Sequence, residues 1–375
     1  MKILVAQSVF KDRRGGMSRL MGFIHDEVEK AGHRVDYLGC EDITPWLRGK
    51  LSRFAFPWLV WRHAVAAKRR GEPYDIVTVH EPSGACITRG RKAAGSPKIV
   101  AMSYGLEERG WQIVKQDARL KRNPLPLKTR IWHPLTLLPQ ARYTLLNSDH
   151  IFCSNEEDKI FLKERYQIPE SQITRVHSGA SIEYIDAYQG RNYDNSSSIV
   201  FFGTWIVRKG VPDLIEAFGK LPENRNDIKL IVMGAGVPDN RVLESFPEKL
   251  RNRVVVVPPS SAETYGKILR NASLMVIPSV FEGTPLTMME SMAAGLPVVA
   301  TNTCGMRDVI QHGENGLLVP VRDGNALASA IAFLLDSRER REMIGRNSNE
   351  LVSQHYTWPT IGQKVLKVYE KMVNK

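Results

Sequence analysis

The amino-acid sequence predicts an α/β protein made of two doubly wound domains, and three observations support that fold class. Apolar runs of strand length alternate with segments of helical periodicity along most of the chain. The alternation is interrupted once, at the polar stretch QGRNYDNSSS from Gln189 to Ser198, and then restarts. The 375 residues, 43% hydrophobic and 25% charged, suffice for two to three domains of ordinary size.

The first series opens on KILVAQ, a strand, and continues into a loop with Gly15 and Gly16. A helix follows, with Met17, Leu20, Met21, Ile24 and Val28 on one face, and Gly32 ends it before the strand RVDYLG. This is a βαβ unit with a glycine loop at its first strand-to-helix turn. YDIVTVH, PKIVAMSYG and HIFCSN are apolar runs that read as buried parallel strands. Beyond the polar stretch, SIVFFGT is a strand and VPDLIEAFGKL a helix. IKLIVMGAG, RVVVVPP and SLMVIPS then follow as strands between helical segments. The closing TWPTIGQKVLKVYEKMVNK is amphipathic, with Ile361, Val365, Leu366, Tyr369 and Met372 available to pack. The expected domains are 1–190 and 191–357, with a terminal helix, 358–375, packing back on the first. Doubly wound sheets bind ligands at the carboxyl ends of their strands, and a two-domain version places its site in the cleft between them.

Four cysteines, Cys40, Cys86, Cys153 and Cys304, lie far apart without a C-x-x-C pair. That usage argues against structural zinc and for a reducing cytoplasm. The N-terminal MKILVAQSVFKDRRGG lacks a signal-peptide cleavage site, and no window approaches the roughly 18 to 20 apolar residues of a spanning helix. The formal charge of +12 is concentrated. Residues 46–130 hold 18 Lys and Arg against 6 Asp and Glu, together with Trp46, Trp58, Trp61 and Trp111, and Trp132 lies just beyond. Such a segment implies an anionic surface as partner. One reading is docking on anionic lipid headgroups, aromatic side chains at the interface and cations outside. The other is an amphipathic helix whose Trp and Phe pack inside the first domain. An anionic glycan acceptor would also fit, whereas nucleic acid is not expected, because no binding motif accompanies the charge.

The stretch VFEGTPLTMMESMAAGLPVVATNTCG, Val280 to Gly305, holds Glu282 and Glu290 eight positions apart. The strand LMVIPS runs into VFEGT, Pro285 fits the first helical position, Gly295 the residue after the helix, and PVVAT the next strand. EGTPL thus occupies a strand-to-helix turn, where free N–H groups and the helix dipole favour an anion, phosphate above all. Structural explanations are open beside this one. Thr287-x-x-Glu290 fits a capping box, Glu282 a solvated loop, and Met288, Met289 and Met292 a core. Neither carboxylate belongs to an H-E-x-x-H or D-x-D pattern, so a catalytic divalent metal is not expected.

Pro278 to Pro320, PSVFEGTPLTMMESMAAGLPVVATNTCGMRDVIQHGENGLLVP, resembles the signature region of the retaining glycosyltransferases of family four. That family has the GT-B fold, two Rossmann-like doubly wound domains facing across a cleft. Glu-x7-Glu, AAGLPVVA and NGLLVP match in order. The GG loop, KAGHRV, FFGTWIVRKGVPDLIEAF and the closing tryptophan–helix segment fall in the expected places, so the resemblance covers almost the whole chain. It implies a metal-independent enzyme that moves a sugar from a UDP- or GDP-linked donor to a glycan or lipid-linked acceptor with retention of configuration. Cell-surface polysaccharide or glycolipid synthesis is the implied setting, with no cofactor beyond the donor. Many relatives use lipid-linked acceptors, so a cytoplasmic protein, peripheral at the inner membrane face, is the expected location.

By the same resemblance, Glu282 faces the donor sugar hydroxyls and Glu290 holds the nucleotide ribose. The turn Gly283, Thr284, Pro285, Leu286 and Thr287 cradles the diphosphate, and Lys209 neutralises it beside Gly203 and Thr204. Gly15 and Gly16 close over the phosphates from the first domain. Two positions depart from the family pattern. Thr204 stands where relatives carry an arginine, and Arg208, next to Lys209, is the candidate to supply that charge. Tyr104 stands where many relatives reach the donor sugar with a histidine; a phenol donates a hydrogen bond but does not titrate near neutrality. His80, ending YDIVTVH, is either an acceptor contact or a strand-end histidine packed on the next loop. Two other functions share this fold: a nucleotide-sugar epimerase, and a non-catalytic membrane-associated polysaccharide-assembly protein. Glu-x7-Glu together with RKG favours transfer.

Overall fold

The structure is a computed structural model that describes residues 1–11, 15–47, 49–90, 96–194, 197–222, 225 and 227–374. The chain divides into two units, Met1–His177 with Trp358–Lys375, and Ser178–Thr357. Each is built on one six-stranded parallel sheet.

The first unit contains β1 (Lys2–Ala6), β2 (Arg34–Leu38), β3 (Ile76–His80), β4 (Lys98–Met102), β5 (His150–Cys153) and β6 (Ile173–Arg175), in the order β2-β1-β3-β4-β5-β6. Ile3 lies opposite Val35 on one side and Ile76 on the other. Its helices are α1 (Gly16–Lys30), α2 (Ser52–Arg69), α3 (Glu107–Arg119), α4 (Leu127–Asn147) and α5 (Glu156–Tyr166). On α1, Leu20, Met21, Ile24 and Val28 are buried, as their spacing requires. Phe56, Val60, Ala64 and Ala67 of α2 pack with Leu4, Ala6, Val77 and Val79 of the sheet.

The second unit contains β7 (Ser198–Phe202), β8 (Lys229–Met233), β9 (Val254–Val257), β10 (Leu274–Ile277), β11 (Val298–Thr301) and β12 (Leu317–Val319), in the order β12-β11-β10-β7-β8-β9. Around it lie α6 (Ile182–Asp186), α7 (Val211–Gly219), α8 (Asp239–Glu244), α9 (Glu248–Arg251), α10 (Ala262–Asn271), α11 (Leu286–Ala293), α12 (Cys304–Val309), α13 (Gly324–Leu335) and α14 (Arg338–His355). Successive residues of β7 feed opposite faces: Ile199 and Phe201 join one core with Leu214 and Phe218, and Val200 joins the other. Met288, Met289 and Met292 belong to the second of these cores.

The unit boundary falls at His177 and Ser178, ahead of the polar stretch expected to be the linker. Residues 178–190 go with the second unit for reasons that apolar periodicity does not register. Ala180 pairs with Thr357, and Tyr184 is fully buried. Arg191 donates to the carbonyls of Leu269 and Ala272, and Tyr193 Oη to that of Gly295.

The closing helix α15 (Trp358–Val373) completes the first unit by lying along α1. Gly362 permits the contact, since a Cβ there would meet Glu27 Cβ at 2.3 Å. Tyr369 Oη lies 2.9 Å from His25 Nε2 and 2.7 Å from Thr78 Oγ1, inside the unit. Burial lowers the His25 pKa to about 4, so this junction is uncharged at neutral pH.

In both sheets two neighbouring strands send their connections in opposite directions. β7 leads to β8 while β10 leads to β11; β1 leads to β2 while β3 leads to β4. Crevices open at such switch points, beyond the carboxyl ends of the strands.

Candidate functional site

The crevice of the second unit gathers most of the residues singled out from the sequence. Gly203 and Thr204 follow β7, and the short turn Val207–Lys209 ends at Gly210. Gly210 has φ +73°, and a Cβ there would sit 1.9 Å from the Pro278 carbonyl oxygen. Glycine is therefore what lets the loop after β7 touch the loop after β10. Val280 N–H donates to Arg208 O at 2.9 Å and closes the pair.

Two adjacent cations in that turn reach one carboxylate. Lys209 Nζ lies 2.5 Å from Glu282 Oε1, and Arg208 Nη1 lies 3.8 Å from Glu282 Oε2. Arg208 also donates to the Phe281 carbonyl at 2.8 Å. Burial pushes the Glu282 pKa up, but the charges of Lys209 and Arg208 outweigh it and hold the carboxyl below its ordinary value. Glu282 is thus an ionised, buried group; the solvated-loop alternative is corrected.

The loop's carbonyls are used internally. Gly305 N–H donates to Gly283 O at 2.9 Å, Ser178 Oγ to Thr284 O at 2.6 Å, and Thr301 Oγ1 to Ser279 O. Pro285 caps α11 instead of opening its first turn, and Leu286 is the first helical residue. The N–H groups of Leu286 and Thr287, two half-exposed residues, have no acceptor among the described residues, as expected for the first turn of a helix. Thr287 stands inside the helix, so the expected capping box with Glu290 does not form. Glu290 is nonetheless 1% exposed, and helix initiation leaves its burial unexplained.

The crevice of the first unit holds the other sequence-level candidates. Gly15 caps α1 and Gly16 opens it, both exposed, while residues 12–14 of that loop lie outside the described residues. His80 ends β3 and is 6% exposed; burial lowers its pKa to about 4, and its Nδ1 has no partner among the described residues. Tyr104, just past β4, lies parallel to the His80 ring, at 6.3 Å between centroids and 7° between planes. Its hydroxyl donates to Met102 Sδ at 2.6 Å, and burial raises its pKa well above the ordinary value. Both rings are therefore neutral near pH 7.

One buried acid escaped the sequence reading. Glu81, 1% exposed, accepts a hydrogen bond from Glu107 N–H at 3.2 Å, where α3 begins. Burial first, and the Glu107 charge second, raise its pKa to about 8. Its only signal was its place directly after YDIVTVH.

Residues 187–351 match the family described as glycosyl transferases group 1. An uncharacterized glycosyltransferase of Methanocaldococcus jannaschii is 33% identical over 180 residues, 47% of this chain and 45% of that protein, so the chain spans about half of this relative's length. Among solved structures, sucrose-phosphate synthase from Thermosynechococcus elongatus superposes with a TM-score of 0.79 at 20% identity over 99% of both chains. Anabaena HepE, solved in complex with UDP, superposes with a TM-score of 0.69 at 15% identity over 99% of this chain and 100% of that one. At such identities these two likenesses show the fold, a GT-B architecture of two Rossmann-like domains. The match to glycosyl transferases group 1 spans β7 to β12 and the paired loops of the crevice.

Proposed function

We propose that this chain transfers a sugar from a UDP- or GDP-linked donor to a glycan or lipid-linked acceptor, retaining the anomeric configuration, in the synthesis of surface polysaccharide or glycolipid. The observation that carries the reading is the convergence of Lys209 and Arg208 on the loop leading to the N–H groups of Leu286 and Thr287, which have no acceptor among the described residues. As the bond between the sugar C1 and the phosphate oxygen breaks, the departing diphosphate gains negative charge. The two cations and the helix N–H groups stabilise that charge, with no metal called for in this reading. Glu282 is ionised and can only accept, which suits it to donor-sugar hydroxyls once the cations turn to the diphosphate. Glu290 accepts from the ribose hydroxyls. Gly203, Thr204, Gly283, Thr284 and Pro285 keep the two loops close beneath the phosphates.

The acceptor oxygen bonds to C1 on the face that the diphosphate leaves, which gives retention, and its proton passes to the departing phosphate. Gly15 and Gly16 contribute to the phosphates, and His80 and Tyr104 contact the acceptor or the sugar. Peripheral attachment at the inner face of a membrane belongs to the same reading. Incubation with UDP- and GDP-sugars and a panel of acceptors tests it, with products identified by mass spectrometry and NMR. A glycosylated acceptor of unchanged anomeric configuration is the expected product. An isomeric nucleotide sugar would reassign the chain as an epimerase, and donors left intact with every acceptor would remove the catalytic reading.

A further inference from the structure

We infer that the outer sides of α2 and α4 form one docking surface for an anionic lipid bilayer. The inference deepens the membrane-face reading above and rests on it for the purpose of docking. The surface itself is observed in the first unit alone.

α2 buries Phe56, Val60 and Ala64 and exposes Phe54, Trp58 and Trp61, which recur at helical spacing along its other side. α4 divides in the same way, burying Thr136, Ala141 and Leu145 and exposing Ile131, Trp132 and Leu135. Arg53 Nη1 of α2 donates to Thr136 Oγ1 of α4 at 3.0 Å, a part-buried bond that ties the two helices together. Trp46 is 74% exposed and Leu135 69%, far beyond scattered surface apolar residues. The packing alternative raised from the sequence holds for Trp111, which is buried and stacked on His133 at 4.7 Å; it fails for the other tryptophans of the segment. Arg48 and residues 91–95 of the basic segment lie outside the described residues.

Charge selects the occupant. α2 and α4 together carry seven Lys and Arg and no Asp or Glu. Arg62 lies over the Trp58 ring at 5.3 Å, which places a cation beside an exposed indole on one turn. That pairing suits a bilayer interface, where indole settles at headgroup level and guanidinium meets lipid phosphate. A second copy of this chain docked through the same side would set cations against cations. Among the described residues no helix is long and apolar enough to cross a membrane, so the contact is interfacial, with side chains sinking roughly 5–10 Å.

The full chain, sedimented with vesicles of phosphatidylcholine alone or with about one third phosphatidylglycerol, tests this at about 50 mM and about 300 mM NaCl. Binding to the anionic vesicles is expected, weakening with salt and accompanied by a blue shift of tryptophan emission. Arg62→Glu with Lys68→Glu should lower partitioning about 25-fold or more, at about fivefold per cation lost. Trp58→Ala with Trp61→Ala should lower it about tenfold. Equal sedimentation with both vesicle types, or none with either, overturns the inference. So does a dimer in analytical ultracentrifugation that the tryptophan variant abolishes, which would give the surface to a second copy. Calorimetric titration of the same proteins with UDP and GDP separates the two readings. Intact nucleotide binding without vesicle binding refutes docking alone, and the converse refutes sugar transfer alone.

Discussion

Replacing Lys209 by methionine strands a buried carboxylate, and the consequence can be worked from the geometry. The Lys209 and Glu282 side chains are 19% and 10% exposed and meet at 2.5 Å. Removing one partner of a buried pair costs about 3–5 kcal/mol, because the remaining charge keeps its desolvation penalty. Arg208, 3.8 Å from the same carboxylate, retains part of the attraction and reduces the expected loss to about 2–3 kcal/mol. For a unit of this size that is a fall of about 5–10 °C in the denaturation midpoint. The sign with pH is also fixed. In the parent protein the Glu282 pKa is lowered, so its contribution is present above the unfolded carboxylate pKa and is lost as pH falls through the folded one. In Lys209→Met burial prevails and the pKa rises, so stability is instead lost as pH climbs above the ordinary carboxylate value. The variant should therefore trail the parent most at pH 7–8 and least near pH 4. Adding Glu282→Gln removes the stranded charge and should restore most of the midpoint. Circular dichroism melts of the parent, both single variants and the double variant across this pH range provide the measurement. Calorimetric titration with UDP and GDP supplies the second readout, since nucleotide affinity should stay low in the double variant while stability returns. A Lys209→Met protein as stable as the parent, or a double variant no more stable than it, refutes the reasoning.

Glu290→Gln keeps the side-chain shape and should weaken UDP or GDP binding about tenfold or more, the loss of hydrogen bonds to a charged group; unchanged affinity by calorimetry would return Glu290 to a structural role. Gly210→Ala forces a Cβ against the Pro278 carbonyl at positive φ and should cost about 3 kcal/mol or more in urea denaturation. A loss below about 1 kcal/mol would mean that the paired loops separate easily. Glu81 has a folded pKa raised to about 8, so parent stability should decline as pH rises from the ordinary carboxylate range toward 8 and then level off. Glu81→Gln should flatten that decline, gaining on the order of 4 kcal/mol at pH 8 and little near pH 4. Parallel stability–pH curves for the two proteins would show that Glu81 does not titrate in this way.

Both sheets could be read from the sequence because their central strands are buried on both faces, and continuous runs such as IVTVH and LMVI permit little else. Strand β6 has only the three residues Ile173–Arg175 and no such run. Helix α4 was hidden by Pro134 and Pro139, which mark helix ends in most sequences yet sit inside this one. The strand-to-helix turn at EGTPL was legible from proline and glycine placement. The convergence of Arg208 and Lys209 on Glu282 was not, because adjacent residues diverge in regular elements and only the tight turn before Gly210 directs both to one carboxylate. The bare exposure of Trp58, Trp61 and Trp132 was undecidable from pattern, since an amphipathic helix does not reveal which side meets the sheet when both sides carry apolar residues.

The return of the chain to its first unit has a consequence for the order in which the protein matures. Tyr369 bonds His25 across 344 positions of sequence, and α15 leaves the ribosome only after the whole of the second unit. The Ser178–Thr357 unit is continuous and has all its strands beforehand. The side of α1 that receives α15 stays uncovered until the second unit has been synthesised. Its closing contact is also among the least local in the molecule, which favours late docking. The unit that starts second is thus the first able to complete its fold, and the unit that starts first waits for the sixteen-residue helix that follows it.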